Sequence, residues 1–229
     1  MSESAGDVRP SFYALRRGGW RDYVTLLHLP YTAWSLSYVA LGAAIAPRFL
    51  VGRMLWTMAA FVLAFGISAH ALDELNGRPL RTEISTRTLV ALAVAGLAGA
   101  VVIGVWAAFA WGLGLLVFVA VGAFLVPAYN LELFGGRLHG DWSLALSWGA
   151  FTILTAYFAQ AQTIRADAVL AAGYGVAMIR LQRTLSTPVR HARRTLGRLE
   201  GVEPMERALR FGVWASLLLG AAVVVARLT

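Results

Sequence analysis

The chain contains no cysteine and no lysine. Without cysteine there are no disulfides, no thiolate nucleophile and no cysteine-ligated metal or haem. Without lysine there is no primary side-chain amine for Schiff-base chemistry, which excludes a retinal-binding lysine. All 20 basic residues are therefore arginine. Charge as a whole is scarce: 14% of the 229 residues are charged, against about 25% in ordinary soluble domains. Apolar residues are abundant, at 59% of the chain with a mean hydropathy of +0.66. A soluble domain of this size still exposes about a quarter to a third of its unfolded surface, so it could not hide that much apolar area. The excess requires a second apolar solvent, the bilayer. The composition excludes a disordered chain and a soluble enzyme, and it leaves little room for a separate extramembrane domain.

Long apolar runs are predicted at residues 24–46, 50–72, 88–106, 108–129, 143–164, 167–183 and 208–227. Seven spans of about 20 residues need roughly 140 residues in all, close to the apolar content. Lipid satisfies no backbone group, so each span is a helix or part of a closed barrel. Continuous apolar runs favour helices over the alternating strands of a barrel. The fold class is therefore all-α, a polytopic membrane helical bundle with about seven transmembrane helices. Residues 1–23 form a polar N-terminal segment and 24–229 a single transmembrane domain. No short apolar run with a small-residue cleavage site precedes the first span, so a cleavable signal is not expected. The third and fourth spans nearly touch, which demands a short turn. Gly96, Ala100 and Gly104 place small residues at every fourth position and permit close helix contact.

The arginines set the orientation. With the N-terminus inside, 16 of the 20 fall in inner segments, leaving Arg48, Arg53, Arg165 and Arg227 outside. This is a positive-inside bias of four to one, and it places the C-terminus outside. The net charge of +8 is thus a property of membrane topology and contact with anionic lipid rather than of nucleic-acid binding.

Polar chemistry concentrates in three inner loops. The first runs from Ser68 through His70, Asp73, Glu74, Arg78 and Arg81 to Ser85. Asp73 and Glu74 end the second span at the membrane boundary, where carboxylates can hold magnesium together with a phosphate or pair with Arg78 or Arg81. His70 lies one turn before Glu74 on the same helix face. The second loop carries Tyr129, Asn130 and Glu132, then Arg137, His139 and Asp141. The third carries Arg180, Gln182, Arg183, Arg190, His191, Arg193 and Arg194, with no carboxylate between Arg180 and Leu199. The arginine fork matches phosphate geometry, and the same residues also suit an anchor in the inner leaflet. His28 sits early in the first span, two residues before Pro30. Any polar site opens to the cytosol.

Three stretches resemble the UbiA prenyltransferase superfamily. Leu27-His28-Leu29-Pro30 through Leu41-Gly42-Ala43-Ala44 is similar to the family's first helix. Gly77-Arg78-Pro79-Leu80-Arg81 through Ile84-Ser85 resembles the segment after its first aspartate motif. Tyr129-Asn130 and Ser147-Trp148-Gly149-Ala150 resemble its fourth and fifth helices. The resemblance covers most of residues 20–195. It implies an all-helical cavity open to lipid and transfer of a prenyl group from a prenyl diphosphate to an aromatic or lipid acceptor. The family uses two aspartate-rich motifs that bind magnesium and diphosphate. By that resemblance Asp73, Asn130 and Tyr129 are the catalytic candidates. Arg78, Arg81, Arg183, Arg190 and His28 are the substrate-binding candidates, and Asp73 and Glu74 would hold at most one magnesium. The chain departs from the family pattern in retaining only Asp73 of the first motif, with Ala69 and His70 nearby, and in having Arg180, Gln182 and Arg183 where the second motif belongs. It also has seven spans where the family commonly has nine helices. These departures fit an alternative, a non-catalytic UbiA-like protein that binds or moves an isoprenoid or pigment lipid, or serves as an assembly partner.

Overall fold

The computed structural model describes residues 8–229. Residues 1–7 of the N-terminal segment lie outside the described residues. The described chain is all-helical, without strands. After a short helix α1 (Trp20–Leu26) come seven longer ones. They are α2 (Leu29–Ile45), α3 (Val51–Leu75), α4 (Thr86–Trp111), α5 (Leu115–Asn130), α6 (Asp141–Ala161), α7 (Ala166–His191) and α8 (Glu203–Leu228).

Four of these, α3, α4, α6 and α8, are long and apolar enough to cross a membrane, where the sequence predicts seven crossings. The remaining three miss the length or the apolarity when taken alone, for separate reasons, though they pack alongside the four in the same bundle. At 1.5 Å per residue α5 is about 24 Å long and α2 about 26 Å, less than a hydrocarbon core of about 30 Å. Helix α7 has the length, but Arg180, Gln182 and Arg183 interrupt its apolar stretch.

The expected first span, 24–46, is two helices. Pro30 lacks an N–H and its ring would collide with the carbonyl of Leu26 in a continuous helix. The chain breaks at His28, which adopts the left-handed region (φ 44°, ψ 47°), and Pro30 falls in the first turn of α2, where its missing donor costs nothing. Helix α2 is central. It is buried on nearly every side and packs most extensively against α6 and α8. Helix α4 is peripheral and presents Val94, Val102, Trp106 and Phe109 outward, a surface suited to lipid.

Small residues allow the closest approaches. A methyl group on Gly149 would meet the Gly175 carbonyl at 2.5 Å, so α6 and α7 touch backbone to backbone there. Gly96 and Gly104 similarly seat α4 against Leu63 of α3 and Val119 of α5. The turn between α4 and α5 is short, as the spacing of the apolar runs predicts. It opens on Gly112 at φ +154°, a backbone conformation that L side chains rarely adopt.

Successive helices run up and down, so the loops sort to two ends. At one end the Gln160 amide donates to the Leu50 carbonyl and accepts from the Leu50 N–H (3.1 and 2.8 Å). There too Arg53 donates to the Ala159 and Gln160 carbonyls, and Arg227 to those of Ala46 and Pro47. These arginines satisfy helix-terminal carbonyls. At the other end lie residues 8–19, the loops 76–85 and 131–140, and the segment after α7.

Candidate functional site

At this second end the helices enclose a cavity of about 370 Å³. Helix α3 contributes Phe65, Ala69, His70 and Asp73; α5 contributes Tyr129 and Asn130; α7 and its continuation contribute Gln182, Arg183, Arg190, Arg193 and Arg194. His28 and residues 10–13 also line it, with Tyr31 and Trp34 of α2, His139 and Trp148. Of the residues singled out from the sequence, Asp73, Tyr129, Asn130, Arg183, Arg190 and His28 therefore share one cavity. Glu74, Arg78 and Arg81 are not among its lining residues.

Each of those three is engaged elsewhere. Glu74 is fully buried. One carboxylate oxygen accepts from the Leu80 N–H (2.9 Å), and the other from the Thr82 N–H and hydroxyl (2.8 and 2.9 Å). It braces the 76–85 loop, so its expected place as a metal ligand beside Asp73 is taken by a structural one. Arg78, at φ 52°, turns inward to donate to the Ile84 carbonyl (2.6 Å) and the Thr86 hydroxyl (3.1 Å). Arg81, at φ 57°, donates to the Arg194 carbonyl (2.8 Å). Arg81 thus braces the backbone of a cavity arginine.

The cavity arginines differ in how far they are neutralised. Arg183 pairs with Asp141 at 2.7 Å, and Arg180 with the other oxygen of Asp141 at 3.1 Å. Arg193 is buried in a two-bond pair with Glu206 (2.6 and 3.0 Å), and its remaining nitrogen donates to the Arg9 carbonyl. Arg190 has one long contact, to the Thr187 hydroxyl at 3.4 Å. Burial and the like charges of Arg183 and Arg194 push its pKa below the usual arginine range. Arg194 has no carboxylate partner among the described residues, and its buried Nε lacks any hydrogen-bond partner. Asp73 lies in the field of Arg194 and Arg190 without an ion pair to either.

A run of aromatic rings also lines the cavity. Tyr13 packs on His28 (5.2 Å), which stacks on His70 at 4.0 Å and 17°. Phe65 bridges His70 and Trp148, 4.7 Å from each, and Tyr129 stacks on His139 at 4.5 Å. Burial pushes the Tyr13 hydroxyl well above its usual pKa and keeps it neutral. The left-handed backbone of His28 costs about 1–3 kcal/mol and places its ring between Tyr13 and His70. A smaller, almost wholly apolar cavity of about 110 Å³ lies between α3, α4, α5 and α6, lined by Phe61, Leu97, Phe118 and Phe151. Trp148 lines both cavities.

Three segments of wider, π-type winding carry cavity residues. Val62–Ala69 holds Phe65 and Ala69, Ala145–Ala150 holds Trp148, and Ala192–Leu196 holds Arg193 and Arg194. Such segments concentrate at functional sites. Sequence periodicity does not reveal them, and it also passes over Tyr13, whose N-terminal segment covers the cavity.

A magnesium centre is poorly served by this donor set. Magnesium takes hard oxygen ligands, and Asp73 is the one acidic side chain lining the cavity. No group of three or more His, Asp or Glu side chains able to hold a metal occurs among the described residues. The donors that do converge are guanidinium groups, which suit a phosphate directly. Comparison with known protein families, curated proteins and solved structures finds no match to this chain.

Proposed function

We propose that this chain is a UbiA-like membrane protein, with its N-terminus cytosolic and its C-terminus outside. In this reading it binds an isoprenoid diphosphate in the polar cavity and transfers the prenyl group to an aromatic or lipid acceptor. The observation that carries the reading is the convergence of Asp73, Tyr129, Asn130, Arg183 and Arg190 on one cavity that shares Trp148 as a lining residue with a neighbouring apolar one. An amphiphile with an anionic head and a branched apolar tail fits that pairing. In the reaction the allylic carbon–oxygen bond breaks and its electron pair leaves with the diphosphate, toward the arginines of α7. The acceptor's nucleophilic atom bonds to the freed carbon and loses its proton to the Asp73 carboxylate. Tyr129 and Asn130 orient the acceptor. The ring faces of Phe65, Trp148 and Tyr129 offset the developing cation.

The test is turnover. Protein in nanodiscs, given a geranyl, farnesyl or geranylgeranyl diphosphate and a panel of phenolic and lipid acceptors, should release pyrophosphate and form a prenylated product identified by mass. Asp73→Asn should abolish release. A second reading, non-catalytic binding of an isoprenoid, is favoured by the single carboxylate in the cavity. It predicts a co-purifying isoprenoid without pyrophosphate release from any donor.

A further inference from the structure

We infer that Arg190 and Arg194 form a phosphate site that holds its anion directly, without a divalent cation. The inference rests on the isoprenoid-diphosphate reading only for the identity of the anion's carrier; the site itself rests on three observations. The first is the missing counter-ion. Asp141 occupies Arg183, and Glu206 occupies Arg193 in two hydrogen bonds. Arg190 and Arg194 keep their charge uncompensated in the same cavity, one helical turn apart on α7 and its continuation. The second is the orphan donor. The Arg194 Nε is buried and bonded to nothing, and a buried N–H without an acceptor is costly unless a ligand supplies one. The third is rigidity. The carbonyl of Arg194 accepts from Arg81, and the Arg81 carbonyl in turn accepts from Arg17 at 2.6 Å. The backbone that carries the Arg194 fork is held from outside the cavity before any ligand arrives.

Two cationic forks facing one carboxylate leave a net positive site, so an anion enters without help. Asp73, set in the field of the same two arginines, is the acceptor left for a ligand hydroxyl or acceptor proton. A metal would instead need carboxylates where this cavity has guanidiniums.

The experiment is calorimetry of the purified full chain in phosphatidylcholine nanodiscs with inorganic pyrophosphate, once in EDTA and once with excess magnesium. Binding should persist in EDTA within about threefold of its strength in magnesium. Arg190→Gln and Arg194→Gln should each weaken it about tenfold or more, the loss of a charge-assisted hydrogen bond. Arg194→Lys keeps the charge but loses the fork, and should fall between wild type and Arg194→Gln, which guards against a variant that merely unfolds. Arg165→Gln, at the opposite end of the molecule, should change nothing. Binding that requires magnesium and vanishes with Asp73→Asn would overturn the inference in favour of a metal centre, as would absence of pyrophosphate binding under both conditions.

A parallel titration with farnesyl S-thiolodiphosphate separates the two readings. If pyrophosphate binds and the tail adds no affinity, the anion site stands and the isoprenoid reading falls. If the thiolodiphosphate binds only with magnesium, the reverse holds. Repeating the pyrophosphate titration in phosphatidylglycerol nanodiscs identifies the source of the anion. Suppression there that persists in high salt, where surface repulsion is screened, and that is lost in Arg194→Gln assigns the site to a lipid headgroup, and unchanged binding assigns it to a free or prenyl-linked diphosphate.

Discussion

Replacing Glu74 with alanine tests the assignment of adjacent carboxylates to different tasks. The Glu74 carboxylate accepts from two buried backbone N–H groups and one hydroxyl of the 76–85 loop, and none of its surface is exposed. Removing it strands both amides. Each orphaned buried donor costs about 1–3 kcal/mol, so the loss is about 4 kcal/mol in total. For a chain of this length one kcal/mol corresponds to about 2–4 °C, and the melting temperature in nanodiscs should fall by about 8–16 °C. Glu74→Gln keeps one acceptor oxygen and should lose about half as much. Asp73→Ala removes no hydrogen bond or ion pair among the described residues and should leave the melting temperature nearly unchanged while abolishing turnover. The assay is thermal unfolding followed by tryptophan fluorescence, run beside pyrophosphate calorimetry. A Glu74→Ala protein that melts like wild type but loses a magnesium-dependent anion affinity would refute the reasoning. It would show Glu74 to be the metal ligand that its sequence position suggests.

Glu206→Gln breaks the buried pair with Arg193 and should destabilise the protein by about 3–5 kcal/mol, because an uncompensated buried charge remains; thermal unfolding reads it. Gly149→Val forces side-chain atoms into the α6–α7 backbone contact and should sharply reduce the folded, monodisperse yield on size exclusion, whereas Gly173→Ala, in open space, should not. Asp141→Asn frees Arg180 and Arg183 from their half-exposed partner; since such pairs contribute about 0–1 kcal/mol, pyrophosphate binding should tighten by up to about fivefold in calorimetry. Reporter fusions after Thr82 and Thr195 should read cytosolic and fusions after Arg165 and Thr229 outside; a cytosolic C-terminus would show that one of the seven helices does not cross.

Composition and the spacing of apolar runs determine that the chain is helical and that several of its helices are long and apolar enough to cross a membrane, where lipid forbids any backbone that does not satisfy itself. Alternation of those runs sends the polar loops to one end, which is why Asp73, Asn130 and Arg183 could be grouped before any coordinates. The break at His28 was also legible in principle, since Pro30 cannot follow an unbroken turn of helix. Other features depended on the tertiary structure. Asp73 and Glu74 are chemically near-equivalent neighbours, yet a step of about 100° around a helix points one into the cavity and the other into a loop, and only the packing of α3 says which. Arg78 and Arg81 look like phosphate ligands until their left-handed backbone turns them onto carbonyls of the chain itself. The pairing of Arg183 with Asp141 spans 42 residues, and no local pattern encodes it. The π-wound segments that present Phe65, Trp148 and Arg194 change hydrogen-bond register without changing hydropathy. The sequence therefore carries the solvent and the sorting of polar groups, which are additive properties of residues. Which of those groups stay unpaired, and so available to a ligand, depends on distances that exist only after the helices have packed.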